Sequence, residues 1–166
     1  TAYEIYQCDW SSDVCSSDLS HGTDNSLAQL AWHISGNLES RFTDFRTADG
    51  EKPWRHRDDE FVPRVVTRAA LLEKWERGWR VLFAALDELT DADLAATVTI
   101  RRQAFRIHEA LHRSLAHTSY HVGQIVFEAK ALQGERWRCL SIPLGQSETY
   151  NANPDVAREL PRLRPT

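Results

Sequence analysis

The sequence contains no methionine and only three cysteines among its 166 residues. Three thiols cannot build a disulfide framework, which removes the small, disulfide-stapled class of secreted domain. No apolar run approaches the roughly 20 residues that a membrane-spanning helix needs. Positive charge is not in excess either: 20 Lys and Arg against 24 Asp and Glu give a formal charge of −4. There is thus no electrostatic reason to expect nucleic acid or an anionic membrane as partner. What is present, 42% hydrophobic and 27% charged residues, suits one soluble domain with a single core. Cys139 is the one cysteine beyond residue 20. With nothing nearby in sequence to hold a thiolate, it fits a reducing cytoplasm better than a nucleophile's role.

The stretch "CDWSSDVCSSDLSHG", Cys8 to Gly22, writes Ser-Ser-Asp twice. Ser and Asp bond their own backbone and favour turns, so a solvated linker is one reading. A second is that Val14 to Leu19 is, letter for letter, the translation of a common sequencing-adapter tail, GTG-TGC-TCT-TCC-GAT-CT. Ser11 to Asp13 would then be the end of another copy. On that reading residues 1–20 are a chimeric, adapter-derived segment to be set aside. Residues 21–151 form the domain, and 152–166 a Pro/Arg tail.

From Ser26 to Phe45 the apolar residues Leu27, Leu30, Ala31, Ile34, Leu38, Phe42 and Phe45 recur at helical spacing, with Asn25 or Ser26 as N-cap. The polar stretch "RTADGEKPWRHRDDEFVPR" then reads as a long connection, of the kind that is usually functional or disordered. A second helix is expected over about residues 67–89, with a stripe through Leu71, Trp75, Trp79, Leu82 and Leu86. "TDADL" looks like a capped turn. The alternation in "TVTIRRQAFRI" suggests a short β-hairpin with Arg101 and Arg102 near its tip. A third long helix is expected over about residues 106–132, with Gly134 just beyond it. The fold class is therefore all-α, a helical bundle with a small hairpin before its last long helix.

That last helix carries two histidine pairs at i, i+4. His108-Glu109-Ala110-Leu111-His112 matches the zincin pattern H-E-x-x-H, in which both histidines bind zinc and the glutamate is general base. His117-Thr118-Ser119-Tyr120-His121 is a plain HxxxH. Each pair shares a helical face, and nine residues at about 100° each set the pairs on opposite sides. Periodicity cannot choose between them, but completeness can. No glycine follows His112 at the metzincin spacing, and Thr118 stands where a third histidine would be. His33, on the first helix at the apolar edge, has no evident structural task. Three histidines from two packed helices are a common way to build an open metal site.

The segments "HISGNLESRFTDF", "DGEKPWRHRDDEF", "LAHTSYHVGQIVFEAK" and "SIPLGQS" resemble the DinB/YfiT-like metalloenzyme superfamily, and most closely its subfamily of unknown function with the DGEKPWRxRDDEF loop. The resemblance covers residues 21–151. It implies an up-and-down four-helix bundle whose divalent metal is held by His33, His117 and His121, Zn or Ni being the metals that suit imidazole. It further implies a metal-dependent transferase, hydrolase or isomerase acting on a small molecule with a low-molecular-weight thiol such as bacillithiol or mycothiol. Residues 1–20 stand where family members carry a full first helix. Its loss predicts no long helix before Leu19 and an exposed apolar groove favouring a homodimer or aggregation.

The loop residues Arg55, Arg57, Asp58, Asp59 and Glu60 are candidates to position an anionic substrate or to orient a ligand histidine from behind. The bland alternative is a solvated charge run. Arg41 and Asp44 are weaker candidates. Gln124, three residues after His121, could reach the same region or serve only in helix packing. Two other functions stay open: a metal-binding bundle without chemistry, and a zincin-like peptidase at His108, Glu109 and His112.

Overall fold

A computed structural model describes residues 14–15, 25–62, 66–142 and 144–153. The expectation that no long helix precedes Leu19 falls on residues outside this set. The described chain is mostly helical. Its elements in order are β1 (Val14–Cys15), α1 (Leu27–Phe42), β2 (Val66–Thr67), α2 (Arg68–Asp87), β3 (Thr97–Ile100), β4 (Gln103–Arg106), α3 (Ile107–Gln133) and α4 (Ser147–Ala152). β1 and β2 form a two-residue antiparallel pair, and β3 and β4 form the expected hairpin. No helix among the described residues is long and apolar enough to cross a membrane.

α1 begins at a capping box. Ser26 Oγ accepts from the Gln29 amide at 3.2 Å, and Gln29 Oε1 accepts from the Ser26 amide at 2.8 Å. The free amide end of Gln29 donates to the Phe61 carbonyl at 2.7 Å, tying this end of the helix to the connection that follows. α1 packs against both α2 and α3, and its apolar residues Leu30, Ile34 and Leu38 are buried with Leu71 and Trp75 of α2 and Ile125 and Ala129 of α3. Ser35 folds its hydroxyl back onto the Ala31 carbonyl at 2.7 Å. This small surface admits Gly78 of α2 so closely that a Cβ there would stand 2.8 Å from Ser35 Cα.

The amphipathic expectation for α1 is exceeded. Of its sixteen residues only Trp32 and Asn37 are not buried. The polar positions are covered because each finds a partner. Glu39 receives Lys74 at 2.9 Å and Arg77 at 2.7 Å from α2, and Ser40 donates to the Gly50 carbonyl at 2.7 Å. α1 also stops three residues earlier than the periodicity suggests. Asp44 takes a positive φ of 48°, and its carbonyl accepts from the Thr47 and Ala48 amides. That turn lays Phe45 back against Phe42, ring centroids 5.0 Å apart.

At the tip of the β3–β4 hairpin, Arg101 and Arg102 have φ of 53° and 63°, the type I′ arrangement that glycine and asparagine normally occupy. The Asp49 carboxylate supplies the compensation. It accepts from the Arg101 amide at 2.8 Å, the Arg102 amide at 2.7 Å and the Glu51 amide at 2.7 Å. Hydrogen bonds from those amides hold its carboxyl below the usual carboxylate range. The hairpin is thereby pinned to the chain that leaves α1.

Beyond α3, Trp137 packs against the core, whereas Ile142 and Leu144 are exposed. On α3 the large side chains Leu115, Tyr120 and Phe127 are also exposed.

Candidate metal centre

His33 comes from the middle of α1, while His117 and His121 sit one turn apart on α3. Packing of the two helices brings the three imidazoles together, with one ligand nitrogen from each lying within 4.8 Å of the others. His33 Nε2 and His117 Nε2 are 3.2 Å apart. Among the described residues this is the only group of three or more such side chains arranged to hold a metal.

What lies behind His33 and His121 fixes their tautomers. His33 Nδ1 donates to Glu60 Oε2 at 2.7 Å, which leaves Nε2 as a lone-pair donor. His121 Nδ1 donates to Gln124 Oε1 at 2.7 Å, leaving its own Nε2 free to bind. His117 Nδ1 is buried with no partner. Burial, reinforced by the neighbouring His121 and His33, pushes the His117 imidazole down to about 4, and burial also lowers His121. Both rings are neutral at physiological pH, the form a metal requires.

The donor set fits a divalent ion. Metal–nitrogen bonds of roughly 2.0–2.1 Å to three imidazoles need nitrogens a little over 3 Å apart. The observed separations reach that range with small movements. With His33 protonated on Nδ1, its Nε2 accepts from His117 Nε2–H across 3.2 Å, and a bound cation would take the place of that shared proton. His33, His117 and His121 would hold it, with the remaining positions open to water or substrate.

Over its described residues, up to Val62, the loop expected to be functional or disordered folds inward by burying charge. Arg55 and Glu60 have side chains 2% and 7% exposed. Arg55 Nε donates to Glu60 Oε1 at 2.9 Å and its Nη2 to Oε2 at 2.8 Å, a two-pronged pair. Burial alone would raise the Glu60 carboxyl, but the hydrogen bonds from His33 and Arg55 and the Arg55 charge outweigh it and hold the group below its usual range. The chain therefore runs Arg55 to Glu60 to His33. Gly36, one turn beyond His33, makes room for it, since a methyl group there would overlap Glu60 Oε1.

The other loop candidates divide differently. Arg57 pairs with Asp58 at 3.1 Å on the surface and lies over the Phe61 ring. Asp58 and Asp59 are exposed, and Asp58 is paired with Arg57 rather than with a histidine. Phe61 itself packs on His33, ring centroids 4.6 Å apart. Gln124 does reach His121, as described above. Gly36 and Phe61 had no sequence signal of a site, because their roles depend on where the loop folds. The competing H-E-x-x-H segment opens α3 at the solvent face. Glu109 Oε2 accepts from the Arg106 amide at 2.8 Å as a helix cap, and His108 Nδ1 is 3.0 Å from the Leu94 carbonyl.

Fold and site together define a helical protein with a three-histidine candidate metal centre drawn from two packed helices. The chain belongs to DUF1572, a family of proteins of unknown function whose model matches residues 7–146. Neither a curated protein nor a solved structure matches it.

Proposed function

We propose that this protein is a divalent-metal-dependent enzyme of the DinB/YfiT-like type that carries out thiol transfer or hydrolysis on a small molecule in the cytoplasm. The observation that carries the reading is the set of three imidazole nitrogens within 4.8 Å of one another, two of them aimed by Glu60 and Gln124 from behind. Paired acceptors of this kind are what metal-binding histidines use to fix their orientation. Zinc and nickel are the metals proposed, because imidazole suits both. Such an ion, with positions left open, supplies a bound water of lowered pKa or keeps a coordinated thiol deprotonated.

The chain's own residues then have distinct tasks. His33, His117 and His121 bind through neutral nitrogens. Glu60 keeps the His33 proton on Nδ1, and Arg55 keeps Glu60 ionised inside the protein. Gln124 holds the His121 ring. Phe61 covers one side of His33 and limits the approach of water. A second copy of the chain is proposed as a further partner, through the face of α3 that exposes Tyr120 and Phe127.

The test is metal content by elemental analysis of the purified protein, beside a His117→Ala, His121→Ala double variant and a His112→Ala variant. One zinc or nickel per chain, absent from the double variant and retained in His112→Ala, is the expected result. Metal lost from His112→Ala instead would overturn it in favour of a peptidase-like site. Turnover of model electrophiles with a panel of low-molecular-weight thiols then separates an enzyme from a metal-binding bundle without chemistry.

A further inference from the structure

Beside the histidines lies a cavity of about 460 Å³, within the range of small-ligand pockets. His33 and His117 form part of its wall, and five arginines, Arg41, Arg55, Arg57, Arg101 and Arg113, form much of the rest. Among the described residues no aspartate or glutamate lines it. In a chain of net charge −4, this is a local reversal of sign assembled from four separate stretches of sequence.

Part of that charge is neutralised from behind the wall. Arg41 and Arg101 converge on one carboxylate, Glu51, at 3.1 and 2.7 Å, and Arg55 is matched by Glu60. Asp49 sits behind the hairpin tip, engaged by backbone amides. Arg57 pairs with Asp58 on the surface, and the rest is not matched. Arg113 lies over the Phe105 ring and forms no ion pair with a described residue. Arg55, its side chain 2% exposed, spends Nε and Nη2 on Glu60 and leaves Nη1 buried with no partner. Buried guanidinium donors without acceptors are costly, so a site that contains one is missing an acceptor.

We infer that this cavity binds the anionic group, a carboxylate or a phosphate, of the small molecule on which the protein acts. Guanidinium groups suit both anions, because their planar fork presents parallel N–H donors to two oxygens at once. The arginines hold the oxyanion while the rest of the molecule extends along the wall toward His33 and His117. Anion binding stands on the arginines alone; the identification of the anion as substrate rests on the metal-centre reading above.

The experiment uses calorimetric titration of metal-free protein with two probes, inorganic phosphate and succinate. Metal-free protein prevents the anion from simply ligating an ion, and an ionic strength of about 0.15 M screens diffuse surface attraction beyond about 8 Å. The comparison is an Arg57→Gln, Arg113→Gln variant, in which both altered side chains are exposed and the Arg55–Glu60–His33 chain is intact. Saturable binding of at least one probe, weakened about tenfold or more in the variant at unchanged helical content, is the expected result, the loss of even one charge-assisted hydrogen bond being worth that factor. Phosphate binding without succinate assigns a phosphoryl group, and the reverse assigns a carboxylate. Failure of both probes to bind folded protein, or equal binding by the variant, overturns the inference. A parallel zinc titration keeps the two readings apart. Zinc bound without anion refutes the anion site alone, and anion bound without zinc refutes the metal centre alone.

Discussion

Replacing Glu60 by glutamine keeps the shape of the side chain and removes its charge, and the surrounding geometry says what that costs. The carboxylate accepts three hydrogen bonds, two from Arg55 and one from His33, at a place where both partners of the ion pair are almost fully enclosed. Glutamine turns one acceptor oxygen into an N–H₂ group that must face either a guanidinium or the His33 N–H. Breaking one partner of a buried pair costs about 3–5 kcal/mol, because the other charge stays buried and unmatched. For a chain of this length each kcal/mol moves the thermal midpoint by about 2–4 °C, so a fall of roughly 10 °C is expected. His33 also loses the anionic acceptor that raises its basicity, and zinc affinity should fall about 10- to 100-fold. The two effects separate in an Arg55→Met, Glu60→Gln double variant. Removing the cation as well should restore much of the stability, since apolar replacement of a buried pair is often neutral, while zinc affinity stays low. Differential scanning calorimetry and competitive zinc titration read the two quantities. A Glu60→Gln protein that melts and binds zinc like the parent would refute both the energetics and the orienting role.

Other outcomes follow from the same geometry. Gly36→Ala should push the Glu60 carboxylate off its two partners and lower zinc affinity in the same direction, as a zinc titration would reveal, although alanine is the better helix former by roughly 0.5–1 kcal/mol. Gly78→Ala places a methyl group 2.8 Å from Ser35 Cα and should destabilise by about 1–3 kcal/mol through forced separation of α1 and α2, with urea denaturation as the readout. The metal-free protein should lose stability as pH falls from 7. His117 titrates at about 4 in the folded chain against about 6.5 unfolded, so the unfolded state binds the extra proton and stability drops through that window by up to about 1.4 kcal/mol per pH unit per proton. His121 is shifted in the same direction. The depressed Glu60 and Asp49 carboxyls extend the loss below about pH 4, as pH falls through their folded values. A urea midpoint that rises on acidification would contradict this sign.

Which of these features could be seen in the sequence follows from the distance over which each is decided. Helical periodicity located α1, α2 and α3 to within a few residues, because amphipathic spacing is a local property. The alternation around Arg101 and Arg102 located the hairpin for the same reason. The choice of His117 and His121 over His108 and His112 needed a ligand, His33, from 84 residues away. Asking which pair had a third partner favoured it, and the family resemblance implied the full set. The inner charge network was harder to foresee. Arg55 and Glu60 stand in a run of charges that looks like any solvated loop, and only their meeting with His33, 27 residues earlier than Glu60, turns them inward. The burial of Ser40 and Glu39 on α1 is likewise decided at a distance, by Gly50, Lys74 and Arg77 folded onto them.

The hairpin tip sets thermal endurance against capture. Two non-glycine residues in the left-handed region cost roughly 1 kcal/mol or more each, and an Asn-Gly pair at 101–102 would relieve that cost at once. A laboratory selection for heat resistance alone should therefore find Asn-Gly early. In doing so it would withdraw Arg101 from the cavity wall and release half the grip on Glu51. A selection for anion binding in the cavity should restore the arginine and keep Asp49 to support it. The Arg-Arg dipeptide would then mark those relatives that have retained the cavity as well as the fold.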